Sequence, residues 1–355
     1  MHTKSSDRVA VIADDLTSAA DGAAPFVARG QAAIVGRGRV PSQAGHVLAV
    51  DCCSRSASPP EAAARVSDLT VRLAGCELLY KTVDSTLRGH ITAELEACFK
   101  ASGRQTLVFA PAFPAAGRTT IDGIQLVDGV PVSESVYGRD PVHPALQSAL
   151  AELVPTCIRN VIFLDAASQA ELDSQIAALP EPESVLWAGS PGMASALARR
   201  FAPVDSAVVS TYPTDGNVLV VIGSANPRSH GQASLIDQLS GVTLLRGPSA
   251  READPAAVLY RIAAASAQAL LSGTFGALVA TGGDTMEAIL DRLDVREFEI
   301  LEELEPGFPL CRTTLDNGKQ LMLAMKAGGF GDDHTLFRAV AKLHRAAQFR
   351  GKASI

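Results

Sequence analysis

The sequence predicts an α/β protein, two α/β domains with mainly parallel sheets and an interdomain cleft. Three observations predict it. At 355 residues the chain is long for one core and short for three. Short apolar runs alternate with longer helical stretches, the rhythm of a parallel sheet covered by helices. That rhythm halts at 203–217, PVDSAVVSTYPTDGN, and then restarts, so 1–205 and 216–350 are expected to be separate domains.

In the first part, RVAVIA (8–13) reads as a strand and TSAADGAAPFVARG as a helix closed by Gly30. AAIVG and HVLAVD read as strands, and PPEAAARVSDLTVRLAG as a helix with prolines in its first turn. CELLY is the next strand, ITAELEACFKASG a helix and QTLVFA a strand. Residues 111–145 break the pattern: they are rich in Pro, Gly and polar residues, and GIQLVDGVPV reads as a hairpin-like excursion. The rhythm resumes with NVIFLD, a helix over 167–178, and SVLWAGSPGMASALARRF. The second part runs through VLVVIG, a helix from about Ser229, VTLLRG, a helix over 255–271 and FGALVATGGDT. A β-like stretch near 298–315, LMLAMKAGGFG and a helix over 333–348 complete it.

Composition narrows the function. Hydrophobic residues make up 47% and charged residues 19%, so the chain buries a sizeable core. With a net charge of −7 and no block of Lys or Arg, nucleic acid is not an expected partner. The opening MHTKSSDRVAVIADD has too short an apolar stretch for a signal peptide, and no run approaches the roughly 18 apolar residues that span a bilayer. A cytoplasmic protein without membrane partners is the expectation. Six scattered cysteines lack CxxC spacing and read as thiols, without a zinc site.

The chemistry-bearing residues follow strands. Asp14 and Asp15 come directly after the first strand, where paired carboxylates can bind Mg²⁺, hold substrate hydroxyls or accept a proton. Capping of the helix beginning near Thr17 is the alternative for one of them. DCCSR sets Arg55 in a turn after another strand. YKTVDSTLRGH then places Lys81, Asp84, Ser85, Arg88 and His90 within eleven residues, two cations beside a carboxylate and hydroxyls. That set suits an anionic, hydroxylated small molecule, although Arg88 can instead pair with Asp84. Three glycine turns, IGSANPRS, TGGDT and KAGGFG, each follow an apolar strand in the second part. Such turns let backbone N–H groups approach phosphate oxygens. None is a Walker loop or a GxGxxG fingerprint.

Taken in order, VIADDLTSAAD, DCCSRS, YKTVDSTLRGH, APAFPAAGRTT, GSANPRS, TGGDT and KAGGFG resemble the signature stretches of the four-carbon acid sugar kinase family. The resemblance runs from about Arg8 to Leu343. It implies ATP-dependent phosphorylation of the terminal hydroxyl of a C4 sugar acid such as D-threonate or D-erythronate, with the acid on the N-terminal domain and ATP on the C-terminal one. DSTLRG is closer to that branch than to the 3-oxo-tetronate branch.

Carried over by motif, Asp14, Asp15, Arg55, Lys81, Asp84 and Ser85 contact the acid. Ser224, Gly282, Gly283, Asp284, Thr285, Gly328 and Gly329 hold ATP. The mechanism this implies has Arg55, Lys81 and Arg88 on the substrate carboxylate and Asp15 as proton acceptor, with Asp84 or Asp14 as alternatives. Mg²⁺ bridges the phosphates through Asp284, domain closure excludes water, and a homodimer is the candidate assembly. The loop at 111–124, with Arg118, is expected to cover the site or to serve dimerisation. Ser18 stands where the family usually has glycine and His90 where asparagine is common, and the chain is shorter than many members. Alternatives are a kinase of 3-oxo-tetronate or a branched isoapionate-type acid, a nicotinamide-dependent oxidoreductase, and a non-catalytic sensor of a sugar acid and nucleotide.

Overall fold

The computed structural model describes residues 9–140, 142–179, 181–202, 217–250, 253–305 and 307–348, the last five by backbone alone. The chain divides into two compact units, Met1–Ala207 and Val208–Ile355. The stretch expected as linker lies, apart from Asn217, outside the described residues, as do the expected domain edges at 205 and 216.

The first unit contains β1 (Val9–Ala13), α1 (Leu16–Val27), β2 (Ala33–Arg37), β3 (Val47–Asp51), α2 (Pro59–Leu73) and β4 (Leu78–Thr82). It continues with α3 (Ile91–Ser102), β5 (Thr106–Ala110), β6 (Arg118–Ile121), β7 (Ile124–Val127), β8 (Val130–Pro131) and α4 (Leu150–Leu153). β9 (Val161–Phe163), α5 (Gln169–Ala177), β10 (Val185–Gly189) and α6 (Pro191–Phe201) complete it. Its main sheet has the order β2-β3-β1-β4-β10-β5-β9, with every pairing parallel.

Strand alternation decides what each residue meets. Ile12, Val50, Leu79 and Leu186 share one core with Val66 and Leu69 of α2 and Leu95 of α3. Val11, Tyr80 and Thr82 turn to the other face, where α1 packs so closely that a Cβ on Gly22 would stand 2.8 Å from Val11 Cγ1. The chain runs outward from β1 to β2 on one side and crosses to β4 on the other. The β1/β4 boundary is therefore a topological switch point, where open α/β sheets hold ligands.

Two local features differ from the sequence expectation. β4 is displaced two residues from CELLY and includes Lys81, because parallel partners on both sides, Ile12 of β1 and Ala188 of β10, extend the ladder that far. The expected hairpin is a three-stranded antiparallel sheet, β6-β7-β8. Its two tight turns are Asp122–Gly123 and Asp128–Gly129, all four residues at positive φ, the Asp-Gly chemistry of two-residue hairpin loops.

The second unit contains β11 (Asn217–Ile222), α7 (Pro227–Ser234), β12 (Val242–Arg246), α8 (Pro255–Ser272) and β13 (Phe275–Thr281). α9 (Gly283–Arg292), β14 (Glu297–Glu305), β15 (Phe308–Thr314), β16 (Gln320–Lys326) and α10 (Thr335–Gln348) follow. Strands β12-β11-β13-β16 are parallel, while β16-β15-β14 form an antiparallel flank. Its own switch point lies between β11 and β13. No described helix is long and apolar enough to cross a membrane. All six cysteines are free thiols, with Cys52, Cys98 and Cys311 buried.

Candidate functional site

At the carboxyl edge of the first unit's sheet, Arg55 joins the two aspartates that follow β1. Its Nε lies 2.7 Å from Asp14 Oδ2 and its Nη2 3.0 Å from Asp14 Oδ1, while Nη1 pairs with Asp15 Oδ2. The backbone fixes this meeting: the N–H groups of Ser54 and Arg55 both donate to the Asp14 carbonyl, at 2.9 and 3.1 Å. Asp15 is also the N-cap of α1, its Oδ1 accepting the Ser18 N–H at 2.7 Å. The capping role considered for one of the two aspartates thus falls on Asp15, whose other oxygen faces Arg55. Ser18 brings its own contact, its Oγ lying 3.3 Å from Arg55 Nη2.

The two aspartates differ in proton affinity. Burial works to raise both. For Asp14, Arg55 and Lys81 together outweigh burial and hold the carboxyl below the ordinary value. For Asp15, burial prevails over Arg55, with the Asp14 charge adding to it, so the carboxyl lies above the ordinary value. Asp84 resembles Asp14: against its burial, Arg88 and Arg55 hold it well below the usual carboxylate range.

Lys81 points to the α3 face of β4, as its shared parity with Leu79 requires. There its Nζ meets Glu94 Oε2 at 2.8 Å and donates to the Thr82 carbonyl at 2.9 Å. Glu94 Oε1 accepts from Ser54 Oγ at 2.7 Å. Burial alone would lower the ammonium's pKa, but Glu94 and Asp14 overcome it and raise the value. Asp14, Lys81, Thr82, Asp84, His90 and Glu94 line one small cavity.

The loop after β4 is held by the β6–β8 excursion. Asp84 Oδ2 accepts from Arg88 Nε at 2.7 Å and from Thr86 Oγ1 at 2.6 Å. Arg88 also faces Asp140 at 3.6 Å and lies 5.3 Å over the Tyr137 ring. The fully buried Gln125 of β7 donates to the carbonyls of Ser85, at 2.8 Å, and Pro111, at 3.1 Å. Ser85 is half-buried, and its hydroxyl makes no hydrogen bond among the described residues. Arg118 lies apart from the aspartates and binds Tyr137 Oη at 2.9 Å. His90 Nε2 is 2.7 Å from the Ala57 carbonyl.

In the second unit the three glycine turns converge. A Cβ on Gly223 would stand 1.9 Å from Thr285 Oγ1, and one on Gly328 2.0 Å from Ser224 Oγ. Gly329 lies against Asn226, where a Cβ would be 3.0 Å from Nδ2. Gly282, at φ +94°, caps α9 without a side chain, leaving the amides of Gly283, Asp284 and Thr285 at an uncapped helix start. Gly223, Ser224, Gly282, Asp284 and Thr285 border a cavity of about 330 Å³ whose other wall is apolar, with Pro248, Pro255, Leu259 and Ile262. Asp284 is exposed on that border and belongs to no cluster of three metal-ligating side chains among the described residues. Buried Lys326 braces the third turn by donating to the carbonyls of Ala327, Gly328 and Phe330 at 3.1, 3.4 and 3.0 Å.

Sequence reading missed Glu94, Gln125, Tyr137, Asp140 and Lys326. Glu94 carried a signal, an acid at helical spacing on the apolar stripe Ile91, Leu95 and Cys98. The others are positioned by contacts across tens of residues or by a loop's own carbonyls, which no local pattern marks.

The family model for a sugar-binding N-terminal domain matches residues 9–160, and that for a nucleotide-binding C-terminal domain matches 246–336. A D-threonate kinase from Bordetella bronchiseptica is 30% identical, over 93% of this chain and 96% of its own length. A 3-oxo-tetronate kinase from Pectobacterium atrosepticum is 26% identical, over 94% and 98%. A solved structure from Salmonella typhimurium LT2 superposes with a TM-score of 0.78 at 21% identity, over 94% and 98%, a likeness of fold. With a sugar-binding model on the aspartate–arginine site, a nucleotide-binding model on the TGGDT and KAGGFG turns, and relatives matched over nearly their whole length joining both, the chain belongs to the four-carbon acid sugar kinase family.

Proposed function

We propose that this protein transfers the γ-phosphoryl group of ATP to the terminal hydroxyl of a four-carbon sugar acid, with D-threonate or D-erythronate as substrate. The observation that carries the reading is the meeting of Asp14, Asp15 and Arg55 beside Lys81 and Asp84 at the β1/β4 switch point. Carboxylates accept hydrogen bonds from sugar hydroxyls, and an arginine held by two of them keeps both in place. Asp15 is the proton acceptor for the C4 hydroxyl. Among Asp14, Asp15 and Asp84 only Asp15 lies above the ordinary carboxylate value, so it is the strongest base of the three. Arg55 and Arg88, each held by carboxylates, lend positive field to the site, and Lys81, sealed against Glu94, contributes field to Asp14.

Phosphoryl transfer asks the protein mainly for positioning and charge neutralisation. The uncapped start of α9 and the Ser224, Gly328 and Gly329 backbone hold the ATP phosphates, while the apolar wall at Pro255 and Leu259 takes the base. The exposed Asp284 carboxylate on that border fits one ligand of a phosphate-bound Mg²⁺. When bound, Mg²⁺ neutralises phosphate charge. An ADP-release assay across a panel of four-carbon acids tests the reading. D-threonate or D-erythronate should give the highest kcat/KM. The 3-oxo-tetronate relative favours a second reading, and preference for the 3-oxo acid in the same panel would establish it.

A further inference from the structure

The charges at the first unit's site do not favour an anionic guest. Arg55, Lys81 and Arg88 face Asp14, Asp15, Asp84, Glu94 and Asp140, three cations against five carboxylates, and each cation is already paired. A sugar acid must place its own carboxylate among them. Desolvating that anion needs a donor that no side chain has claimed.

His143 meets that need. Its ring stands edge-on to His90, with centroids 6.2 Å apart, and His90 lines the cavity shared with Asp14, Lys81 and Asp84. Arg55 and Arg88 are close enough for their charges to act on it, and, after burial, Arg55 and His90 are the main causes of its lowered pKa. The His143 ring makes no hydrogen bond among the described residues, whereas the His90 ring is engaged by the Ala57 carbonyl. The backbone there is held by Asp140, whose Oδ1 accepts the backbone N–H of His143 at 3.0 Å and of Val142 at 2.9 Å while Oδ2 faces Arg88. One carboxylate thereby ties the backbone that carries His143 to the Arg88 cation. A neutral imidazole offers one N–H donor, and a protonated one offers two.

We infer that His143, on the excursion between β8 and α4, binds the carboxylate of the sugar acid and so is a specificity-determining residue of this site. The inference deepens the proposed function and rests on it. It also gives the 111–145 segment a part in substrate recognition, through Asp140, Tyr137 and His143.

Calorimetric titration of D-threonate and of D-threonamide, which keeps the hydroxyls and lacks the charge, tests it alongside turnover. His143→Ala should weaken D-threonate binding by about tenfold and D-threonamide binding by less than about threefold, the scale of one lost hydrogen bond to a charged group. His143→Gln, which retains an N–H donor, should recover most of that loss. KM for ATP should be unchanged in both variants. Equal weakening for acid and amide, or no weakening for either, would overturn the inference while leaving turnover of the unaltered protein intact. If the unaltered protein binds neither compound and phosphorylates no four-carbon acid, the parent reading fails and takes this inference with it.

Discussion

Lys81 Nζ and Glu94 Oε2 stand 2.8 Å apart with both side chains about 3% exposed, an ion pair sealed beneath the site rather than displayed in it. A buried pair fixes geometry more reliably than it adds stability, and removing one partner strands the other charge. Glu94→Ala should therefore destabilise the protein by about 3–5 kcal/mol in urea unfolding. The double variant Lys81→Met with Glu94→Leu should regain most of that stability while losing sugar-acid affinity. A double variant as unstable as the single one would show that the charges themselves hold the unit together.

Acid titration should separate the carboxylates by sign. Asp84 lies below its ordinary value of 3.8 in the folded state, so its contribution is complete above that pH and disappears as pH falls further. Asp15 is shifted upward, so its ionised form costs stability above 3.8, and that cost fades as the group protonates in acid. Asp84→Asn should flatten the loss of stability below about pH 4, and Asp15→Asn should stabilise the neutral protein. Urea midpoints measured from pH 3 to pH 7 check both.

Lys326 gives a signal of its own at alkaline pH. Burial, with Arg228 nearby, lowers its pKa from 10.5 to about 8. Between those values the unfolded chain binds more protons than the folded one, so stability should rise with pH across that window. Lys326→Met should abolish the rise. It should also raise KM for ATP, because the carbonyls of Ala327, Gly328 and Phe330 lose their common donor.

The close contact between nucleotide turns predicts a selective loss. Gly328→Ala puts a methyl group within 2.0 Å of Ser224 Oγ, so one of the two turns must move. ATP affinity should fall by at least about tenfold, the effect of displacing one backbone donor from a phosphate. Sugar-acid affinity, measured calorimetrically without nucleotide, should be unchanged.

Much of this was legible in the sequence because open α/β sheets place their chemistry at strand ends. Asp14, Arg55 and the TGGDT turn each follow an apolar run, and that position alone put them at the sheet's edge. Lys81 followed the same rule but lay inside β4, since strand length was set by neighbours β1 and β10 rather than by its own residues. Glu94 lies on the apolar stripe of its helix, but its partners Lys81 and Ser54 come from other elements, and no helical period names them. Gln125 could not be read at all: its target, the Ser85 carbonyl, lies forty residues away and is met only through the fold of the excursion.

The most direct measurement is the position of the phosphate on the product, read by two-dimensional ³¹P–¹H NMR after incubation of the protein with ATP and D-threonate. The account predicts a single phosphomonoester coupled to the two C4 protons, and a loss of at least about a hundredfold in kcat for Asp15→Asn, the usual scale for a missing general base. A phosphate coupled to the C2 or C3 proton, or ATP consumption without a sugar phosphate, would contradict it.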